Sequence, residues 1–125
     1  MGKMRRVTLL AVSALLASAC GLVTLQVPSA TMLYVANSLP STITVYDAMA
    51  SGNAPPVRTI GGANTGLSTP RDVEQDTAGN IYVTNLATNT VTVFAPGANG
   101  NVAPIRTIGG PSTSISGPAA LFLGR

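Results

Sequence analysis

The sequence predicts an all-β protein made of repeated four-stranded antiparallel sheets, the architecture of a β-propeller. The first observation is a gapless internal repeat of 48 residues, in which Ala54–Gly62 (APPVRTIGG) returns as Val102–Gly110 (VAPIRTIGG). The second is a composition rich in Thr, Val, Ile, Gly, Asn and Pro after the first 30 residues, which favours strands and turns over helices. The third is that short apolar segments alternate with turn residues through both copies of the repeat.

The period extends beyond that segment. Leu33–Asn37 returns as Ile81–Asn85, and Thr42–Tyr46 returns as Thr90–Phe94, again after 48 residues. A sandwich or a small barrel gives no reason for strands four apart to match residue for residue, so the repeat favours a propeller. A solenoid would more usually show a shorter period.

Each repeat unit is expected to hold four short strands joined by turns, with a longer loop to the next unit. The first unit spans residues 22–69 and the second spans residues 70–117. The predicted strands, in order, are Leu22–Val27, Met32–Asn37, Thr42–Asp47, Val57–Ile60, Pro70–Gln75, Asn80–Asn85, Thr90–Ala95 and Ile105–Ile108, and Pro118–Leu123 is predicted to be the first strand of a third unit.

Residues 1–20 have the pattern of an export signal with a signal helix. Basic side chains at positions 3, 5 and 6 precede an apolar segment at Val7–Leu16, and Ala17–Ala19 supplies the small residues of a cleavage site. Cys20 follows directly, and the segment resembles a bacterial lipoprotein signal, which implies that Cys20 carries the lipid. The position three before the cysteine is usually Leu in that family, whereas here it is Ala17.

Two alternatives to lipidation remain open at this point. One is ordinary secretion after cleavage at Ala19. The other is an uncleaved anchor, because Val7–Val27 is an uncharged segment long enough to cross a bilayer. All three readings place the repeats outside the cytoplasm, in the bacterial cell envelope or secreted, with the lipid or the uncleaved helix as the contact with the membrane.

The charges and the rare residues exclude several functions. Past Cys20 the chain has four arginines and four acidic residues, so the repeats carry no net charge and do not form the basic patch that nucleic acid requires. The chain has no histidine, which excludes Ser-His-Asp and Cys-His catalysis. A single cysteine excludes an intramolecular disulfide and disfavours a zinc site.

Three segments of the second unit resemble an NHL-type propeller repeat. They are Pro70–Asp76 (PRDVEQD), Gly79–Asn85 (GNIYVTN) and Asn89–Phe94 (NTVTVF). The resemblance implies that Pro70–Asp76 is an innermost strand and that Arg58–Ile60 and Arg106–Ile108 lie on outermost strands. Members of this family and of related six-bladed folds include binding modules, lyases and lactonase-like enzymes.

Two units and one further strand do not close a propeller, which needs at least four blades. The chain is therefore expected to form an incomplete ring. We expect a fragment or truncated form of a longer propeller. A homo-trimer that closes the ring by assembly, and the reading of a degraded gene, are the alternatives.

The resemblance also implies a metal alternative. Lactonase-like enzymes hold a divalent ion near the central axis, and Asp72, Glu74 and Asp76 fall on one side of the predicted inner strand. Calcium favours such oxygen ligands, although Asp76 is equally suited to a turn and three carboxylates are few for calcium. No cofactor is predicted otherwise.

The remaining candidates recur at matching repeat positions. Asn37 and Asn85 end equivalent strands, where Asn commonly forms turns. The alternative is that the loops they open bind a ligand, together with Arg71 and Asp72 on the inner strand. A paired Arg58 and Arg106 would protect outer edges or bind an anionic partner, and Tyr34 and Tyr82 are expected in packing between units.

The sequence therefore predicts an extracytoplasmic repeat protein that acts as a binding module for a protein or glycan. The alternative is a partial metal-dependent enzyme of the lactonase or lyase kind.

Overall fold

The computed structural model describes residues 31–124, which form seven β-strands. Within that range the one helical segment is a 3₁₀ turn at Pro111–Thr113. The strands are β1 (Met32–Asn37), β2 (Thr42–Asp47), β3 (Arg58–Ile60), β4 (Pro70–Gln75), β5 (Ile81–Asn85), β6 (Thr90–Phe94) and β7 (Arg106–Ile108).

The strands build two antiparallel sheets, which confirms the all-β prediction. The first sheet has the order β1-β2-β3, and the second sheet has the order β4-β5-β6-β7. Neighbouring strands in each sheet are consecutive in sequence, so each sheet is an antiparallel meander. The edges of the second sheet are β4 and β7.

The two sheets repeat each other in register as well as in sequence. Tyr34 pairs with Val45 and Val45 with Arg58 in the first sheet. Their counterparts 48 residues later pair in the same way, Tyr82 with Val93 and Val93 with Arg106. The loops also match: the Thr65 hydroxyl donates to the Gly62 carbonyl at 2.8 Å, and the Thr113 hydroxyl donates to the Gly110 carbonyl at 2.7 Å.

The outer strands are shorter than predicted. β3 and β7 begin at Arg58 and Arg106, one residue after the predicted Val57 and Ile105. Each of those preceding residues still donates one backbone hydrogen bond across the sheet, Val57 to Val45 at 2.8 Å and Ile105 to Val93 at 2.7 Å. A single bond at the entry of a strand is too little to extend the ladder.

Three predicted elements are not among these seven strands. The signal helix and the strand at Leu22–Val27 fall outside the described residues. Pro118–Leu123 is described but forms no strand. The reason is that its amides bond to side chains instead of a ladder: Leu121 donates to Asp72 Oδ2 at 2.9 Å, and Leu123 donates to Glu74 Oε1 at 3.1 Å.

The core lies between the two sheets. Ile43 and Ile60 of the first sheet and Ile81, Val83 and Phe94 of the second are fully buried in one cluster. Burial of such side chains contributes roughly 1.5–3 kcal/mol each before the loss of conformational entropy is counted. The two repeat units therefore share one hydrophobic core.

A loop of the second unit also covers the outer edge of the first sheet. Gly100 donates its amide to the Thr59 carbonyl at 2.7 Å and accepts the Gly61 amide at 3.2 Å. The flanking asparagine side chains add two bonds, since Asn99 Oδ1 accepts the Thr59 amide at 3.1 Å and Asn101 Oδ1 accepts the Asn64 amide at 2.8 Å. This pairing satisfies backbone groups that an edge strand otherwise exposes.

Candidate functional site

A polar cleft of about 310 Å³ opens where the first sheet meets the end of β4. Tyr34 and Arg58 line it from the first sheet, and Gln75 with the turn Asp76–Gly79 lines it from the second unit. We call this the inter-sheet cleft. Its position at a junction between repeat units is typical of binding sites that several elements build together.

The Tyr34 hydroxyl is the centre of the polar groups in the cleft. Arg58 Nη2 donates to it at 3.0 Å, and Gln75 Nε2 donates to it at 2.9 Å. The guanidinium carbon of Arg58 also lies 6.0 Å from the centroid of the Tyr34 ring, at the outer limit of a cation–π contact. Two donors from different units thus converge on one oxygen.

The register explains why Arg58 reaches Tyr34. Tyr34, Val45 and Arg58 form a row across β1, β2 and β3, so their side chains share one face of the sheet. The arginine extends over Val45 to the tyrosine. Arg58 Nε is buried without a hydrogen-bond partner among the described residues, and the half-buried guanidinium is partly shielded from water. A partly desolvated charge interacts more strongly with an approaching anion.

The second unit repeats the pair in a more open setting. Arg106 Nη2 donates to the Tyr82 hydroxyl at 3.2 Å, with the guanidinium carbon 5.8 Å from the ring centroid. Arg106 is exposed, and the Tyr82 hydroxyl donates onward to Asp76 Oδ2 at 3.1 Å. Arg106 therefore offers a matched control for Arg58, with the same local contact and no place in the inter-sheet cleft.

The structure gives Asn85 a role inside the second sheet. Its side chain is fully buried, and its Nδ2 group donates to Thr92 Oγ1 at 3.1 Å and Thr90 Oγ1 at 3.3 Å. Its Oδ1 atom accepts the Ser68 amide at 3.1 Å. The amide joins the strand end to the neighbouring strand and to the preceding loop, so it does not face a ligand.

Asn37 makes the equivalent contacts in the first sheet. Its Nδ2 group donates to Thr44 Oγ1 at 3.1 Å and to Thr42 Oγ1 at 3.3 Å. The side chain is half-buried. The shared pattern favours the interpretation that Asn at this repeat position fixes the strand end.

Arg71 and Asp72 lie at an irregularity in β4. The register shifts between Pro70, which pairs with Asn85, and Asp72, which pairs with Thr84, so Arg71 is the additional residue of a β-bulge. Arg71 is exposed. Asp72 is half-buried, and its amide donates to Thr84 Oγ1 at 3.0 Å.

The three carboxylates of the metal alternative do not meet. Asp72 accepts the amides of Val73 and Leu121, and Glu74 accepts the amide of Leu123. Among residues 31–124 no three His, Cys, Asp or Glu side chains lie close enough together to hold a metal ion. Each of the three carboxylates bonds backbone amides instead of turning toward a common centre.

Asp76 closes the turn between β4 and β5. Its Oδ1 atom accepts the amides of Asn80 at 2.8 Å and Ala78 at 2.9 Å, and its Oδ2 atom accepts Asn80 Nδ2 at 2.8 Å. The Asn80 side-chain hydrogen bond is the main reason that the pKa of Asp76 lies below its ordinary value, with the backbone amides and Tyr82 acting in the same direction. This agrees with the turn-capping interpretation of Asp76.

Cys20, the predicted lipid attachment residue, lies outside the described residues. In the part of the chain that is described, no helix is long and apolar enough to cross a membrane. No family model, no curated protein and no solved structure matches this chain.

The inter-sheet cleft was not predicted as a site from the sequence. The available signal was the coincidence of two repeat positions, since Tyr34 and Arg58 recur together as Tyr82 and Arg106 at the same separation. Gln75 could not be found in this way. It reaches Tyr34 across the junction between two units, and the repeat partner of Gln75 is Leu123, which has no polar side chain.

Proposed function

We propose that this chain is an exported, propeller-type repeat protein that acts as a binding module, held at the membrane through a lipid on Cys20. The observation that carries the binding function is the inter-sheet cleft, where a guanidinium, a phenol hydroxyl and a carboxamide from two repeat units lie together. These groups suit recognition of a polar ligand, and they include no nucleophile paired with a base.

The packing of the two sheets supports the propeller arrangement. Ile43 and Ile60 lie on one face of the first sheet, and they pack against Ile81 and Phe94 of the second. By the 48-residue repeat, Ile81 and Phe94 correspond to residues on the opposite face of the first sheet. Stacking one face of a sheet onto the opposite face of the next is how propeller blades succeed one another around an axis.

The chemistry of the cleft favours a ligand with a carboxylate. Arg58 supplies a positive charge that is partly removed from water, and arginine binds carboxylates through charge-assisted hydrogen bonds. The Asp76 carboxylate at the cleft wall is already bonded by amides and by Tyr82, so it competes little for Arg58. The carboxylate belongs to a glycan or to a protein segment.

Ligand binding is tested by nuclear magnetic resonance on the labelled exported protein. An acidic oligosaccharide and an acidic peptide are titrated separately, which distinguishes the two ligand sources. The expected result is a saturable shift of the Arg58 Nε–H and Tyr34 signals with one of them. The Tyr34 shift should be lost in Arg58→Gln, and both shifts should be retained in Arg106→Gln. Absence of shifts with both ligands at millimolar concentration, or equal losses in the two variants, would refute the proposal.

The anchor has a separate test. Labelled palmitate should be incorporated into the chain in producing bacteria and should be lost in the Cys20→Ser variant. Label that persists in this variant would mean that the lipid site is wrong, without bearing on the cleft.

A further inference from the structure

The contact between the two repeat units joins unlike surfaces. Tyr34, Ala36, Ile43 and Ile60 lie on one face of the first sheet and contact the second unit. We call this the leading face. The second sheet contributes Ile81, Val83 and Phe94, whose repeat counterparts Leu33, Val35 and Tyr46 lie on the other, trailing face of the first sheet. One leading face therefore packs on one trailing face, and an interface of this kind can be repeated.

Within residues 31–124, one surface of each kind has no neighbouring repeat unit packed on it. On the trailing face of the first sheet, Leu33 is 51% exposed, whereas its counterpart Ile81 is fully buried against the neighbouring unit. On the leading face of the second sheet, Ile108 is 41% exposed, whereas its counterpart Ile60 is fully buried. Both leftover surfaces have the residue types that form the internal contact.

The loop that covers β3 also has an unused counterpart. Gly100 pairs with Thr59 and Gly61, and the repeat counterpart of Asn99–Asn101 is Ser51–Asn53. That loop is exposed, and Gly52 has φ +67°, close to the +79° of Gly100. The left-handed backbone that presents Gly100 to an edge strand is therefore already formed at Gly52.

The edge that such a loop would cover is open. All three residues of β7 are exposed, and no described residue pairs with its outer edge. A Cβ atom on Gly62 would lie 2.5 Å from Asn101 Cγ, whereas a Cβ atom on Gly110 would meet nothing within 4 Å. The place taken by Asn101 in the internal contact is thus empty beside Gly110.

We propose that a second copy of this chain docks head to tail, with its Ser51–Asn53 loop on β7 and its trailing face on the leading face of the second sheet. By the internal contact, Gly52 donates to the Thr107 carbonyl and accepts the Gly109 amide of the other copy. The partner is a second copy because this chain itself carries both halves of the contact, in the required backbone conformation. Residues 118–123 then lie beside the β1 edge of the docked copy, as β4 lies beside β5 within the second sheet.

The test uses single cysteines in full-length chains that carry Cys20→Ser. Ser51 and Thr107 correspond to Asn99 and Thr59, which contact each other through a hydrogen bond of 3.1 Å from the Thr59 amide to Asn99 Oδ1. Ser51→Cys protein is mixed with Thr107→Cys protein under mild oxidation. A chain with both Thr59→Cys and Asn99→Cys is the positive control, and it should form an internal disulfide.

The expected result is a covalent dimer in the mixture, about tenfold above the amount formed by either variant alone. A mixture that gives no more dimer than the separate variants overturns the proposal, and so does efficient dimer formation by Ser51→Cys alone, which would mean two-fold contact of like surfaces.

Light scattering adds an independent readout. Leu33→Glu should reduce the assembled mass to that of one chain, whereas Leu39→Glu, on an 87% exposed turn residue, should not. Retention of the assembled mass in Leu33→Glu would also overturn it.

This inference does not depend on a ligand for the inter-sheet cleft. The cysteine mixture can fail while Arg58 still binds a carboxylate, and it can succeed where no ligand is found.

Discussion

Ile60 and Ile108 place the same side chain at the same repeat position in two different environments. Ile60 is fully buried between the sheets, whereas Ile108 is 41% exposed on the outer strand of the second unit. Replacing each by Ala removes the same atoms from equivalent three-residue strands. The difference between the two variants therefore measures what the neighbouring unit contributes to burial.

The expected loss of stability follows from that burial. Ile60→Ala removes a fully buried side chain and leaves a cavity, which costs about 2–5 kcal/mol. Ile108→Ala loses only the transfer free energy of partly buried carbons, with little cavity because solvent reaches the site. At about 0.8 kcal/mol per buried carbon and roughly three-fifths burial, this amounts to about 1.5 kcal/mol.

Urea unfolding followed by far-ultraviolet circular dichroism measures both losses, at protein concentrations low enough that the chain is a monomer. If Ile60→Ala does not fold, Ile60→Val should still fold with a loss of about 1 kcal/mol. Equal losses for Ile60→Ala and Ile108→Ala, or a larger loss for Ile108→Ala, would refute the shared core between the two units.

Three further substitutions probe individual contacts. Asn85→Ala should cost about 2–3 kcal/mol in urea unfolding, because it leaves buried hydroxyl and amide groups unpaired, and Asn37→Ala should cost less because Asn37 is only half-buried. Asp76 has a lowered pKa, so its stabilisation is present above its ordinary pKa of 3.8 and is lost as the pH falls through the folded value; the gap in stability between the wild type and Asp76→Asn should therefore close in acid. Asp72→Ala removes the acceptor of the Leu121 amide, which should then exchange with deuterium about tenfold faster in mass spectrometry. Equal costs of the two Asn variants, a gap that persists in acid, or unchanged exchange at Leu121 would contradict these assignments.

The strands could be predicted because the 48-residue repeat and the alternation of apolar and polar residues are both visible in the sequence of each strand. β1, β2 and β4 have the predicted bounds, and the register follows from turn residues such as Ala78–Asn80. Pro118–Leu123 has a strand-like sequence but no strand to pair with in the described residues. The residues of a segment do not show whether a neighbouring strand is available for pairing. A strand was therefore predicted at Pro118–Leu123, where the structure has no strand.

The candidate site was harder to predict for a similar reason. Asp72 and Glu74 do share a side of β4, as alternation requires, but their oxygens accept the amides of Leu121 and Leu123, 49 residues later in the chain. A sequence pattern gives the direction of a side chain and not what lies opposite it. The contact between Gln75 and Tyr34 joins two units and has no counterpart in the repeat.

The two units differ in the burial of equivalent residues because another unit packs on the leading face of the first sheet only, among the described residues. Thr59, Ile60, Gly61 and Gly62 have the same sequence as their counterparts 48 residues later, so intrinsic propensity cannot distinguish the two sets. Yet Ile60 is buried and Ile108 is not, because within the described residues the second sheet and the loop around Gly100 pack on the first sheet, and no equivalent unit packs on the second. A repeat unit of this kind completes its outer edge with a loop from the next unit. The exposed β7 edge is therefore a binding surface defined by the repeat itself, and the unit that fits it carries a loop like Ser51–Asn53.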